Sequence, residues 1–256
     1  MAIDDLAKNP RLKAFYNPSI IQTIINQRKN LQVLYMSEYK RIPRHIGVIP
    51  DGNRRWAVAR GMEKKDGYFH GIEPATRLFQ DVWDVGIEEV SVYIFTKENS
   101  HRPSDQILAF KDAFFYFLDW VKDKDVSLLV VGDSSSKVFP KELRDMTVPE
   151  KGRDKKRKLN FLVNYNWEWD LSVGLNGNNG NGHKKAPVLS KIGSRHVSKI
   201  DLVIRWGDRN RLSGFLPVQT AYADIFIVKD YWPDYEKGHL HQALRWYDNQ
   251  DITMGG

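Results

Sequence analysis

Two runs of residues in this chain could do chemistry. Asp51, Gly52, Asn53, Arg54 and Arg55 form the first, and Arg205, Arg209, Arg211 and Ser213 mark the second. A Gly-Asn turn that starts a helix beside two guanidinium groups suits an anion with several oxygens, and an aspartate in front of it suits a hard divalent cation bridging those oxygens. The second run places three arginines within seven residues, a second anion site built from forks that grip phosphate bidentately. Arginines, oriented N–H groups and a metal aimed at one place would lower the barrier to departure of a diphosphate by neutralising its developing charge. Taken singly, each feature has a plainer reading: an Asp-Gly-Asn surface turn, or arginines in exposed ion pairs.

Both runs follow apolar stretches that must position them. Ile46, Val48 and Ile49 read as a buried parallel strand, Gly52 and Asn53 allow the tight turn, and helix-forming residues begin at Trp56. Leu202 to Ile204 is the strand before the second run. Strand signals at 45–50, 89–95, 126–131, 159–164, 201–205 and 224–228 alternate with helix signals near 69–85 and 104–122. That alternation predicts a single α/β domain with a central, mostly parallel sheet flanked by helices, and both anion loops lie just after strands, where ligands of such sheets collect.

Four blocks in this order resemble the cis-prenyltransferases, the family of undecaprenyl diphosphate synthase. HIGVIPDGNRRWA (His45 to Ala57) is similar to the family signature HxxxxMDGNxRWA, and GIEEVSVYIFTKENSHRP (Gly86 to Pro103) to GIxxLTLYAFSxENWxRP. LNFLVNYN (Leu159 to Asn166) resembles LNxxxNYGG, and DLVIRWGDRNRLSGFLPVQTAYADIFIVKDYWPDY resembles the family's arginine-rich block ending in WPDF. The resemblance spans residues 45–256 and implies a magnesium-assisted ionisation of an allylic prenyl diphosphate. The acceptor, normally isopentenyl diphosphate, then attacks to form a Z-configured unit.

By position, the resemblance assigns Asp51 to magnesium and to triggering ionisation, with Asp224 as the second acidic ligand. Gly52, Asn53, Arg54, Arg55, Lys64 and Arg102 fall on the donor-diphosphate side. Arg205, Arg211 and Ser213 match acceptor-diphosphate positions, and Arg209 stands beside them without a family counterpart. Asn99 matches the Asn of the family's Glu-Asn pair, which assists proton loss or diphosphate handling; its plainer reading is a turn residue. The helix at 104–122 corresponds to the wall of an elongated hydrophobic tunnel for the growing chain. If Phe114 or Phe117 points inward, products are short, whereas rings facing the sheet would have no such effect.

Departures from the family pattern cluster, and they rebuild the acceptor side more than the donor side. Ser100 replaces the Trp after Glu-Asn, Tyr68 replaces a His, and Lys64 replaces an Arg. Arg209 replaces an acid, and Trp167 and Glu168 stand where the pattern has Gly and Arg. The chain ends DITMGG, so Thr253 stands near where homomeric members carry an arginine that reaches across the dimer. Three readings follow: ordinary Z-prenyl synthesis as a homodimer, use of an unusual acceptor such as a second allylic diphosphate or an alcohol, or service as the catalytic subunit of a heteromer. A noncatalytic partner subunit fits poorly, because such partners lose the aspartate and the first signature.

Composition agrees. The 256 residues, 41% hydrophobic, can bury one core, and the absence of cysteine excludes thiol catalysis and zinc-thiolate sites. No run of about 18 apolar residues occurs, and the N-terminus lacks a signal peptide's apolar core, which predicts a cytoplasmic protein. The net charge of +7 is densest at KGRDKKRK (Lys151 to Lys158), read as a solvated loop; no motif or basic-aromatic interleaving points to nucleic acid. Residues 1–44 form an extension in which Ile20, Ile21, Ile24, Ile25, Leu31 and Leu34 recur at helical spacing. That stripe packs on the core or rests peripherally on a membrane surface. NGNNGNG, starting at Asn176, reads as a flexible loop.

Overall fold

The computed structural model describes residues 38–149, 155–176 and 188–251. The isoleucine stripe of the extension, most of the glycine-asparagine run, residues 151–154 of the basic run and Thr253 lie outside them. Six strands, β1 (His45–Ile49), β2 (Glu89–Thr96), β3 (Ser127–Val131), β4 (Lys158–Tyr165), β5 (Leu202–Arg205) and β6 (Asp224–Ile227), form one sheet in the order β3-β4-β2-β1-β5-β6. Every neighbouring pair is parallel. The six strand signals of the sequence match these elements to within about two residues at each end.

Alternation along the strands divides the core between the two faces of the sheet. Ile46, Val48, Val90, Val92, Leu159, Phe161, Leu202 and Ile204 pack on one face with helices α3 (Ile72–Val85), α4 (Ser104–Lys122) and α6 (Lys237–Asp248). Ile49, Tyr93, Leu162 and Val203 face the other way, against Phe215, Leu216 and the segment around Val197 and Ile200. Helix α3 buries Leu78, Phe79, Val82, Trp83 and Val85 along one stripe and stops at Gly86, whose φ of 102° suits the helix C-cap. Each such side chain contributes about 1.5–3 kcal/mol relative to exposure.

Strand order reverses at β1. The chain first builds outward through β2, then returns to the other side of β1 with β5 and β6. The crevice beyond the carboxyl ends of β1 and β5 is thus the topological switch point, the usual ligand position in open α/β sheets.

Helix α1 (Asn53–Ala59) starts three residues before the apolar periodicity at Trp56. Gly52 caps it with φ 113°, so Asn53, Arg54 and Arg55 make up the first helical turn. Short helix α2 (Gly67–His70) docks on it closely: a Cβ on Gly67 would lie 2.1 Å from the Asn53 carbonyl oxygen. Helix α5 (Trp167–Asn176) had no counterpart in the sequence reading.

Candidate active site

A cavity of about 680 Å³ opens at the switch point. Its polar end is lined by Asp51 to Arg55 after β1, by Glu98, Asn99 and Arg102 after β2, by Arg205 at the end of β5 and by Arg209, Arg211 and Ser213 after it. Its apolar part runs between α3 and α4, past Ile72, Ala75, Phe79, Phe110, Phe114 and Phe117. One end therefore favours anions and the other hydrocarbon, within the size range of small-molecule sites.

Asp51 joins the two arginine-rich runs. Its Oδ2 accepts a 2.8 Å bond from Arg205 Nη2, and its Oδ1 lies 3.2 Å from Arg55 Nη2 as an ion pair without hydrogen-bond geometry. Arg205, only 4% exposed, also donates through Nη1 to the Arg211 carbonyl and, at 3.1 Å, to Ser213 Oγ. Three polar atoms here are buried without a hydrogen-bond partner: Arg205 Nε, Arg55 Nη2 and Asn53 Oδ1. Such groups cost about 1–3 kcal/mol each, a cost that sites for polar ligands commonly carry.

The loop after β5 is tightly wound. Gly207, Asp208, Ser213 and Gly214 all have φ between 52° and 85°, left-handed backbone that is strained at the non-glycine positions. A Cβ on Gly207 would reach 2.5 Å from Arg55 Nη2 and 3.0 Å from the Asp51 carbonyl oxygen, so glycine permits this contact between the runs. The Trp232 N–H donates 3.0 Å to the Asp51 carbonyl, and Gly207 N–H donates 2.8 Å to Asp230. The stretch Asp230-Tyr231-Trp232 thus ties both loops together, and Tyr231 stacks under the Arg55 guanidinium at 5.0 Å.

On the β2 side, Arg102 Nη1 donates 3.0 Å to the Tyr68 hydroxyl, whose ring meets Phe110 edge-on. Burial pushes the Arg102 guanidinium below its ordinary value. Asn99 is N3 of a capping box: its N–H donates 3.3 Å to Thr96 Oγ1 and its Oδ1 accepts from the Thr96 N–H. Asn99 thus caps the short helix after β2, and it also lines the cavity. Glu98 accepts a 3.0 Å bond from Asn166 Nδ2. Although burial raises the Glu98 carboxyl, hydrogen bonds from its own backbone, Thr96 and Asn166 hold it below its ordinary value.

Two expectations do not match the geometry. Asp224 opens β6 paired with Leu202, at the opposite end of the sheet from Asp51, and its carboxylate lies 3.9 Å from Arg41. Within one chain the two aspartates cannot share a cation. Lys64 is exposed in the turn before α2 and does not line the cavity. Arg209 lines the rim but is exposed, its Nη1 3.4 Å from its neighbour's carbonyl. Phe114 and Phe117 answer both readings at once, lining the cavity while packing on Phe161 of the sheet. Tyr93, Tyr231 and Trp232 were not singled out as site residues, although all three stand within the quoted blocks, and Tyr68 was marked only as a departure from the family pattern. Tyr93 donates 3.2 Å to the Ser213 carbonyl.

These features define a doubly wound α/β domain with an amphipathic cavity at its switch point. A family model described as putative undecaprenyl diphosphate synthase matches residues 49–255, and the chain belongs to that family, the cis-prenyltransferases. It is a prenyltransferase. An isoprenyl transferase of Leptospira interrogans is 29% identical over 231 residues, covering 84% of this chain and 95% of that protein. A tritrans,polycis-undecaprenyl-diphosphate synthase (geranylgeranyl-diphosphate specific) of Archaeoglobus fulgidus is 30% identical, covering 80% and 88%. The crystal structure of lavandulyl diphosphate synthase from Lavandula x intermedia in complex with dimethylallyl diphosphate shares the fold, with a TM-score of 0.71 at 19% identity, covering 84% of this chain and 98% of that one. A probable undecaprenyl diphosphate synthase from Campylobacter jejuni superimposes with a TM-score of 0.65 at 21% identity, covering 84% and 100%.

Proposed function

We propose that this prenyltransferase ionises an allylic prenyl diphosphate and transfers the prenyl group to isopentenyl diphosphate, giving Z-configured prenyl diphosphates of short or medium length. The observation that carries this reading is one cavity joining Asp51 and both arginine runs to a phenylalanine-lined apolar end. The allylic C–O bond breaks and its electron pair leaves with the diphosphate. The acceptor double bond attacks the allylic carbon, and a proton lost from the acceptor restores a double bond.

Gly52, Asn53, Arg54, Arg55 and Arg102 hold the donor diphosphate in this reading. Arg205, Arg211 and Ser213 serve the acceptor diphosphate, with Arg209 adding charge at the rim. Asn99 assists at the polar end through its amide nitrogen, since Oδ1 is taken by the Thr96 N–H. The apolar walls exclude water from the carbocation.

Among the described residues no three His, Cys, Asp or Glu side chains cluster to hold a metal. Magnesium typically binds through one or two carboxylates plus substrate phosphates and waters, so Asp51 alone fits such a role. Magnesium would supply charge neutralisation on the departing diphosphate.

Trp167 favours a second reading, an unusual acceptor. Its ring lies against the acceptor loop, 2.8 Å from where a Cβ on Gly214 would be, on the side where the chain departs from the family pattern. We assign the working assembly as a homodimer, with the catalytic subunit of a heteromer as the alternative.

The test is incubation of the purified chain with magnesium, a set of allylic diphosphates and labelled isopentenyl diphosphate, dimethylallyl diphosphate or an alcohol, with products identified by mass spectrometry. Isopentenyl incorporation by the chain alone is expected. Product only with another acceptor would support the second reading, and none with any acceptor would favour the heteromer.

A further inference from the structure

Arg205 has few hydrogens to spare. Nη2 is engaged by Asp51 Oδ2, Nη1 is shared by the Arg211 carbonyl and Ser213 Oγ, and Nε is buried without a partner. Its side chain is 5% exposed, against 33% for Asp51. A ligand phosphate arriving in the loop after β5 thus meets a guanidinium already directed at the carboxylate of the other loop. Asp51, for its part, carries two cationic neighbours, Arg205 and Arg55, which oppose capture of a further cation.

From this arrangement we propose that the Asp51–Arg205 ion pair is a coupling element between the two diphosphate subsites. Whatever draws Asp51 away from Arg205 frees Nη2 for the acceptor diphosphate, and an acceptor diphosphate on Arg205 frees Asp51 for a cation. The same guanidinium holds Ser213 and the Arg211 carbonyl, so exchange of its partner also bears on the strained loop. By linkage the two effects are equal: the factor by which a cation on Asp51 tightens the acceptor is the factor by which the acceptor tightens the cation. Arg205 is then more than a static phosphate ligand. This inference rests on the reading of the β5 loop as the acceptor site.

A double-mutant cycle read without metal tests it. Isopentenyl diphosphate is titrated calorimetrically in EDTA into the wild-type protein, Asp51→Asn, Arg205→Gln and the double variant, each checked for folding by circular dichroism and thermal melting. Neutralising Asp51 is expected to tighten the diphosphate about tenfold when Arg205 is present and less than about twofold when it is Gln. An equal gain in both backgrounds would mean that removal of negative charge acts through the general field, and would overturn the coupling. Absence of any gain beside Arg205 would overturn it as well. If an Arg205→Gln background fails to fold, Arg205→Lys serves, with a gain smaller than that beside Arg205 expected and an equal gain overturning the coupling. Binding by none of the proteins would remove the acceptor site itself, and with it the coupling, a result distinct from binding without gain.

Discussion

Asp51 accepts from one arginine and pairs with another, so its loss has two separable effects. For Asp51→Ala, turnover is expected to fall by about 10³-fold or more, while the dissociation constant for the allylic donor changes by less than about tenfold, because a metal on this carboxylate would act on the leaving charge. Steady-state kinetics beside calorimetric donor binding checks the split, and comparable losses would mark a merely structural aspartate. Asn99 poses the opposite question, since its capping bonds explain its presence without chemistry. Thr96→Ala removes the same cap and should cost about 1 kcal/mol of stability. Asn99→Ala should cost as much stability and at least tenfold more activity; equal activities in the two variants would leave Asn99 a capping residue.

At the scale of elements, α4 is the wall on which product length is expected to depend. Phe114 and Phe117 are 6% and 4% exposed, pack on Phe161, and line the apolar part of the cavity. Each Phe→Ala change should destabilise the fold by about 3–5 kcal/mol, measured by urea unfolding, and shift the products toward longer chains in mass spectra. An unchanged product distribution from folded variants would exclude a length-setting role. The strands were legible because parallel strands buried on both faces read as short apolar runs between turns. The start of α1 was not, because Gly52 and the polar first turn carry no apolar periodicity. The place of Asp224 was not legible either: the resemblance sets it beside Asp51 by motif position, yet the chain runs back along the sheet before β6 begins, so within one chain the aspartate stands at the far end. Sequence proximity conveys nothing about which end of a strand a residue occupies. The Asp51–Arg205 contact was equally hidden, since its partners are 154 positions apart.

For the molecule as a whole, a buried polar cluster at the amino ends of β1, β2 and β4 sets the response to acid. His45 Nε2 lies 2.9 Å from Ser91 Oγ, its Nδ1 faces the Ser198 and Lys199 carbonyls, and Glu89 Oε1 is 3.8 Å away. Glu89 accepts 2.7 Å from Asn160 and 3.3 Å from the Ser198 N–H, and Asp201 adds a further negative charge nearby. Burial pushes His45 down more strongly than Glu89 and Asp201 raise it. Burial of Glu89 raises its carboxyl, but His45, Ser198 and Asn160 outweigh it and the net direction is down. Both depressed groups release protons on folding, so stability is full above about pH 6.5, His45's part fades as pH falls below that, and Glu89's part fades below about pH 4. Each unit of depression is worth about 1.4 kcal/mol. The melting temperature should drop between pH 7.5 and 5, and less steeply in His45→Asn; equal slopes would exclude His45. His241 and the exposed His196 are also lowered by burial, but solvent screening leaves them a smaller part of the slope.

The order β3-β4-β2-β1-β5-β6 also carries a schedule. The central strand β1 leaves the ribosome first, yet its neighbour β5 begins at residue 202, roughly 150 residues later, which at 5–20 residues per second is a wait of ~8–30 s. Throughout that interval an unpaired, apolar strand edge faces other macromolecules or a chaperone. Asp51 and Arg205 meet only when the wait ends, so nascent chains stalled before β5 should be recovered as chaperone-bound or aggregated species without activity, however complete their first signature.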